Sequence, residues 1–275
     1  AAQLALVVEN SRLTDRIVEQ ERLRRELLLA TEVQKRLFPE KAPETASIQL
    51  AGMCLPARGV GGDYYDFLDL GKHQIGIALA DVAGKGIAAA LIMSVVQASL
   101  RSLAAGDGAS LADLAGKMNR LLHRSTGSNS YATFFYAQFD EERRRLRYVN
   151  AGHNPPFLLR ACNANGIVSF VASAAPIEEL AAGGTIIGMF AQSSYEEAHV
   201  DLHPGDVLIA FSDGVTEAHN PDDEEFGEER LKELLRRTAH LPINDMASNI
   251  MQALKVWMAD AVQFDDLTFI LMKVM

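Results

Sequence analysis

An acidic residue at the edge of an apolar strand is the feature that most restricts this chain, and residues 60–86 carry two of them, one opening a strand and one closing the next. The stretch reads V-G-G-D-Y-Y-D-F-L-D-L, the turn Gly71-Lys72-His73 and, after Gln74, I-G-I-A-L-A-D-V-A-G-K-G. Asp63 follows the Gly61-Gly62 pair at the start of the first strand. Asp81 ends the apolar run 75–80 and stands before a glycine-rich turn into a helix. An ionised carboxylate at such a strand end is costly to desolvate unless something cationic compensates. Asp81 therefore either caps the helix or holds a metal, and the local sequence leaves both open.

With 275 residues the chain can bury a full core, one large domain with an appendage. Its net charge of −10 argues against a general nucleic-acid binder or a reader of anionic membranes, both of which need a basic surface. Cys54 and Cys162 lack metal-ligand spacing and point to two free buried thiols in a reducing compartment. No apolar run approaches the roughly 20 residues of a membrane span. No signal segment is visible, so a cytoplasmic protein is expected. The start at Ala1-Ala2 suggests a fragment.

Residues 1–38 contain no Gly or Pro and are dominated by Leu, Glu, Arg and Gln, which predicts one long helix ending before Pro39 and Pro43. Leu13, Gln20, Leu27 and Gln34 fall on one heptad position, with Arg16, Leu23, Ala30 and Leu37 on its partner. That interrupted seam predicts a short coiled coil and a homodimer; the alternative is a helix lying on its own domain. Residues 1–45 thus read as a linker helix and 46–275 as the main domain. There, strands are expected at 48–55, in the two runs above, and at 132–140, 144–150, 156–160, 166–172, 185–190, 195–202, 207–211 and 267–274. Helices are expected at 86–105, buried on most sides, and at 110–124, 227–239 and 243–261. Strands, two helices, strands, two helices and a last strand do not alternate as a doubly wound fold does. The expected class is α+β: an α-β-β-α sandwich of two mainly antiparallel sheets flanked by helix pairs.

Asp63, Asp81, Asp213 and the pair Asp265-Asp266 each lie at the edge of an apolar strand. One such residue beside a glycine is commonly a turn residue or an N-cap. Several brought together repel and raise one another's pKa unless a cation sits between them. Oxygen donors without His or Cys select Mg²⁺ or Mn²⁺ over zinc. Two such ions can activate water and stabilise in-line displacement at phosphorus. The other polar residues have plainer readings as well: His153 as a structural histidine in a tight turn, Asp66 as strand-face polarity or a partner of a ligand, Glu217 on a strand-exit loop, and 222–225 as a solvated acidic loop. Lys85 in A-G-K-G is ambiguous, and the G-x4-GK spacing of a Walker loop is missing.

The motifs G-G-D-Y-Y-D-F, A-D-V-A-G-K-G, A-G-H-N-P-P, F-S-D-G-V-T-E-A and D-D-L-T, in this order within residues 47–275, closely resemble the PPM-type metal-dependent Ser/Thr protein phosphatases, nearest the bacterial RsbU/SpoIIE branch. The resemblance implies a centre of two Mn²⁺ or Mg²⁺ ions between the sheets. Asp63 and Asp81 would bridge or flank the ions, with the Val82 carbonyl as a backbone ligand. Asp213 and Asp265 would hold the second ion, Asp266 being the alternative to Asp265. It also implies hydrolysis of phosphoserine or phosphothreonine by metal-activated water, with no protein nucleophile; no Cys-x5-Arg loop is present. Arg58, five residues before Asp63, is the candidate grip on the substrate phosphate. The leading helix resembles the connector that joins an upstream GAF or PAS sensor to such a phosphatase. The implied partner is a phosphorylated STAS-type anti-sigma-factor antagonist or a similar phosphoprotein. A catalytically silent phosphoprotein-binding scaffold is the main alternative. A two-metal nuclease or nucleotide hydrolase is disfavoured by the charge.

Overall fold

The structure, a computed structural model, describes residues 2–105, 110–127, 130–164, 167–169 and 175–275. Helix α1 (Ala2–Lys35) leads into β1 (Ile48–Leu55) and the hairpin of β2 (Tyr64–Asp69) and β3 (Gln74–Val82). Helices α2 (Ile87–Ala104) and α3 (Leu111–Ser125) follow, then β4 (Ala132–Asp140), β5 (Arg145–Ala151) and β6 (Phe157–Leu159). Five short strands come next: β7 (Cys162–Ala164), β8 (Ile167–Ser169), β9 (Ile177–Glu179), β10 (Gly183–Gly184) and β11 (Ala198–Asp201). The chain continues through β12 (Val207–Phe211), the single turn α4 (Asp213–Thr216), α5 (Glu228–Thr238), α6 (Ile243–Met258) and β13 (Leu267–Val274).

Two main sheets form, ordered β1-β13-β12-β6-β9 and β10-β5-β4-β3-β2, with β11 also on β5. Their pairings are antiparallel except β10 beside β5. The sheets face each other across Ile77, Leu79, Phe135 and Phe139 on one side and Leu208, Ile270 and Met272 on the other. Helices α2 and α3 cover the outer face of the second sheet, and α5 and α6 that of the first. Burial on both faces explains the continuous apolar runs.

Alternation along β3 decides where its acid goes. Ile75, Ile77 and Leu79 face the space between the sheets, while Ala78, Ala80 and Val82 face α2. Side chains two residues apart share a face, so Asp81 continues the inner set. The same count from Phe67 and Tyr65 puts Asp63 on the inner side of β2. Both carboxylates stand at one mouth of the inter-sheet layer.

Several expectations need correction. Residues 185–190 are not a strand: the pairing is Gly183–Gly184 on β5 and a lone bridge from Ile187 to Ala132, and Gly188 turns the chain at φ 94. The strand expected at 195–202 is Ala198–Asp201, and of that expected at 166–172 the described part is Ile167–Ser169, residues 166 and 170–172 lying outside the described ones. Helix α2 is long and apolar enough by composition to cross a membrane, contrary to the expected absence of such a run. It is a core helix, but on one face. Ala89, Met93, Val96, Leu100 and Ala104 are buried, whereas Ile87 and Leu91 are 54% and 65% exposed, because α2 packs on one sheet and one helix and its outer side is left uncovered among the described residues. Helix α1 does not lie along the domain: Leu13, Ile17, Val18 and Leu23 are exposed, and contact begins near its end. The Cys54 thiol is free and raised in pKa by burial first and Asp63 second; the side chain of Cys162 lies outside those described.

Candidate metal centre

The acids converge because β2, β3, β12 and β13 all have an end at the same mouth of the sandwich. Asp63 is buried at 2% exposure and accepts a hydrogen bond from Ser212 Oγ at 2.8 Å. Burial, then the charge of Asp81, lifts its carboxyl well above the usual range. Asp81 is pushed up to about 7, by burial first and then by Asp213, Asp265 and Asp266. Asp213 opens α4 directly after Ser212 and is raised by burial and by Asp265. Glu217 stands at the rim, raised by burial and next by Asp213.

Asp265 and Asp266 differ in what they touch. Asp266 accepts hydrogen bonds from the backbone N–H groups of Ala57 and Gly62, both at 2.8 Å, and more weakly from Asp63 at 3.4 Å. Its carboxylate fixes the loop that presents Asp63. Asp265 is paired with Lys85, whose Nζ lies 2.7 Å from its Oδ2 and also donates to the Phe264 carbonyl at 2.6 Å. The Gly61-Gly62 pair is what lets this loop lie so low. A Cβ on Gly61 would collide with the Asp266 carboxylate, and one on Gly62 would come within 2.7 Å of the Val82 carbonyl oxygen.

These residues fit a hard divalent cation by charge and donor type. Several carboxyls are lifted by burial first and then by mutual repulsion, the donors are oxygens, and among the described residues Lys85 is the one cation paired with any of these acids. Thr268 Oγ1 is buried there without a well-formed partner and only loosely favours the charged forms of Cys54 and Asp63. As placed, no group of three or more His, Cys, Asp or Glu side chains among the described residues is close enough to hold a metal ion.

Sequence reasoning missed three contributors. Ser212 and Thr268 sit inside F-S-D-G and D-D-L-T, so their motifs marked them. Gln34 had no such mark. Within the heptad seam it looked like a polar interruption, yet it is 6% exposed and clasps Gly61, donating from Nε2 to the carbonyl at 2.7 Å and accepting from the N–H at 3.1 Å. Arg58 is exposed beside Ala57, and among the described residues it makes no ion pair.

His153 is a structural histidine. Its N–H donates to Asn150 Oδ1 and its Nδ1 lies 2.7 Å from Thr133 Oγ1. Nε2 is buried without a well-formed bond, the Phe211 backbone giving it a partial one. Burial lowers its pKa to about 4. The unfolded chain takes up this proton near the ordinary value and the folded one does not, so stability present above pH ~6.5 is lost as pH falls toward ~4. The difference is on the order of 3 kcal/mol. His153→Gln is expected to flatten that part of the stability curve; melting curves in chelator from pH 7 to pH 4.5 that run parallel in the two proteins would refute this.

The chain is similar to known proteins in sequence and in fold. The family described as Stage II sporulation protein E (SpoIIE) matches residues 71–275. The phosphoserine phosphatase RsbU of Bacillus subtilis (strain 168) is 28% identical over 261 residues, covering 92% of this chain and 71% of RsbU. The chain spans 41% and 58% of two further curated relatives. Among solved structures, the SiaA-PP2C domain of Pseudomonas aeruginosa superposes with a TM-score of 0.76 at 20% identity, over 93% of this chain and 98% of that one. RsbX in complex with magnesium superposes at 0.60 with 18% identity, over 86% and 99%.

Proposed function

Because the chain belongs to the SpoIIE family, the bacterial RsbU/SpoIIE branch of PPM-type (PP2C) phosphatases, we propose that it is a metal-dependent protein serine/threonine phosphatase acting on a signalling phosphoprotein. The observation that carries this reading is the convergence of Asp63, Asp81, Asp213 and Asp265 in a partly buried mouth, with Lys85 paired to Asp265. Asp63, Asp81 and the Val82 carbonyl would hold one Mn²⁺ or Mg²⁺, and Asp213 and Asp265 a second. When bound, such ions supply positive charge for the phosphoryl oxygens and lower the pKa of attacking water.

The chain's own residues then have distinct tasks. Ser212 orients Asp63 through its 2.8 Å bond. Asp266 braces the 57–63 loop through backbone amides, which favours Asp265 as the ligand. Arg58, on that braced loop and unpaired among the described residues, grips the substrate phosphate. The leading helix regulates the site: Gln34 holds Gly61, two residues from Asp63, so a shift of α1 moves the loop that carries the acid. Exposed Leu13, Leu23 and Leu27 support pairing with a second α1 in a homodimer. The substrate is a phosphorylated STAS-type anti-sigma-factor antagonist or a similar response partner, in keeping with the likeness to RsbU.

The test is a phosphoserine peptide assay with chelator, with added Mn²⁺ and with Mg²⁺. Release of phosphate is expected with either ion and to vanish after chelation. Peptide binding without turnover in any metal would instead mark a silent scaffold.

A further inference from the structure

Helix α3 turns three cations to solvent, on a side that also carries the single acid Asp113 in its first turn. Lys117, Arg120 and Arg124 follow one another at spacings of three and four, which puts them on one side of the helix. All three are exposed, and among the described residues none is in an ion pair. The chain's net charge is −10, and many of its other cations, including Arg101, Arg145, Arg147, Arg160 and Lys232, are engaged by carboxylates.

Beside these cations lies an apolar patch that the fold holds in place. Leu121, Met189 and Phe190 are 41%, 40% and 50% exposed. Asn119, itself buried, accepts from the Gly188 N–H at 2.8 Å and donates to the Phe190 carbonyl at 2.9 Å. His123 Nδ1 lies 2.8 Å from the Gly188 carbonyl. Segment 188–190 is thus strapped onto α3. The strap leads to the acidic mouth, since Ile187 bridges Ala132, and Ala132 pairs with Val82, the residue after Asp81.

We propose that Lys117, Arg120 and Arg124, with Leu121, Met189 and Phe190, form the docking surface for an acidic face of the phosphoprotein substrate. This rests on the phosphatase reading above. A small phosphate ester needs the acid centre alone. A protein with an acidic surface is repelled by that centre's surroundings and by the chain's net charge, and a neighbouring cationic footing offsets this while fixing orientation. Cations around an apolar patch match the make-up of a protein interface. Three cations on an acidic chain are a poor match for nucleic acid, whose binding draws on many phosphate contacts.

The test compares the wild type with Lys117→Glu/Arg120→Glu/Arg124→Glu and with the corresponding triple Gln variant. The probes are phosphoserine casein, an acidic phosphoprotein, for binding and p-nitrophenyl phosphate for turnover. Casein affinity is expected to fall about tenfold or more in the Glu variant and less in the Gln variant, with ester turnover within about twofold of wild type. Wild-type affinity also weakens between about 50 and about 300 mM NaCl, and that of the Glu variant does not. Unchanged casein binding in both variants overturns the docking surface, even where the ester is hydrolysed. Failure of every protein to hydrolyse the ester overturns the phosphatase reading, while the binding comparison still decides the surface. Tighter wild-type binding to phosphatidylglycerol vesicles than to casein, lost in the same variants, overturns the proposal in favour of a membrane.

Discussion

Asp213→Asn is expected to lower metal-dependent phosphatase turnover by about three orders of magnitude without unfolding the protein. The side chain opens α4 at the end of β12, and its carboxylate is supported by the Gly214 backbone N–H. Asparagine keeps the volume and an acceptor for that bond, so the turn survives. What is lost is one negative charge among acids that already raise each other's pKa. Folding without metal should therefore be unharmed or slightly improved, because a repulsion has been removed. A cation should find a weaker site. Two measurements separate these effects: turnover of a phosphoserine peptide, and melting temperature in chelator and in Mn²⁺. Wild type is expected to gain thermal stability with Mn²⁺ and the variant much less. A variant that turns over as fast as wild type, or gains the same stability from Mn²⁺, would remove Asp213 from the metal centre.

The second large effect concerns stability. Arg101→Met should destabilise the protein by about 3 kcal/mol, near the low end of what breaking a buried pair costs. Asp66 has no solvent exposure and faces α2 from β2. Its carboxylate accepts from Arg101 Nε at 2.7 Å and Nη2 at 2.9 Å, from Tyr64 Oη at 2.6 Å and from the Phe67 N–H at 2.9 Å. Removing the guanidinium leaves a buried carboxylate with neutral donors alone. Arg101 is 47% exposed along its side chain, and water reaching the gap keeps the figure low in the range. Asp66→Asn/Arg101→Met should recover part of the loss, since neither charge remains. Urea unfolding of the three proteins checks both steps. A cost below about 1 kcal/mol for the single variant would place the pair with ordinary surface ion pairs.

The sandwich was legible because its strands are buried on both faces and its long helices are marked by period and by glycine breaks. The acids were marked by their place at strand edges and by the motif resemblance, and once the strands are placed, period-two alternation sets Asp63 and Asp81 with Phe67 and Leu79 on the inner side. Asp66 was ambiguous for the same reason. Its parity assigns it to the outer face, but nothing nearby in sequence names Arg101, 35 residues away, as its partner. Residues 185–190 misled because Thr-Ile-Ile-Gly-Met-Phe has strand composition, while Gly188 takes a positive φ and Asn119 and His123 of α3 pull the segment off the sheet. Composition likewise over-buried α2: an apolar helix on a sheet can still leave Ile87 and Leu91 facing water. Gln34 shows the limit most clearly, since a heptad register cannot say that its last polar member reaches into a loop.

Strand β13 lies between β1 and β12, pairing Ile48 with Val274 and Val207 with Lys273. During translation β1 and β12 leave the ribosome before the strand that joins them exists, and β1 waits for more than two hundred residues of synthesis. Such distant pairing closes late and slowly. Because Asp265 and Asp266 lead into that strand, a nascent chain cannot complete its acidic mouth until the first sheet has zipped shut.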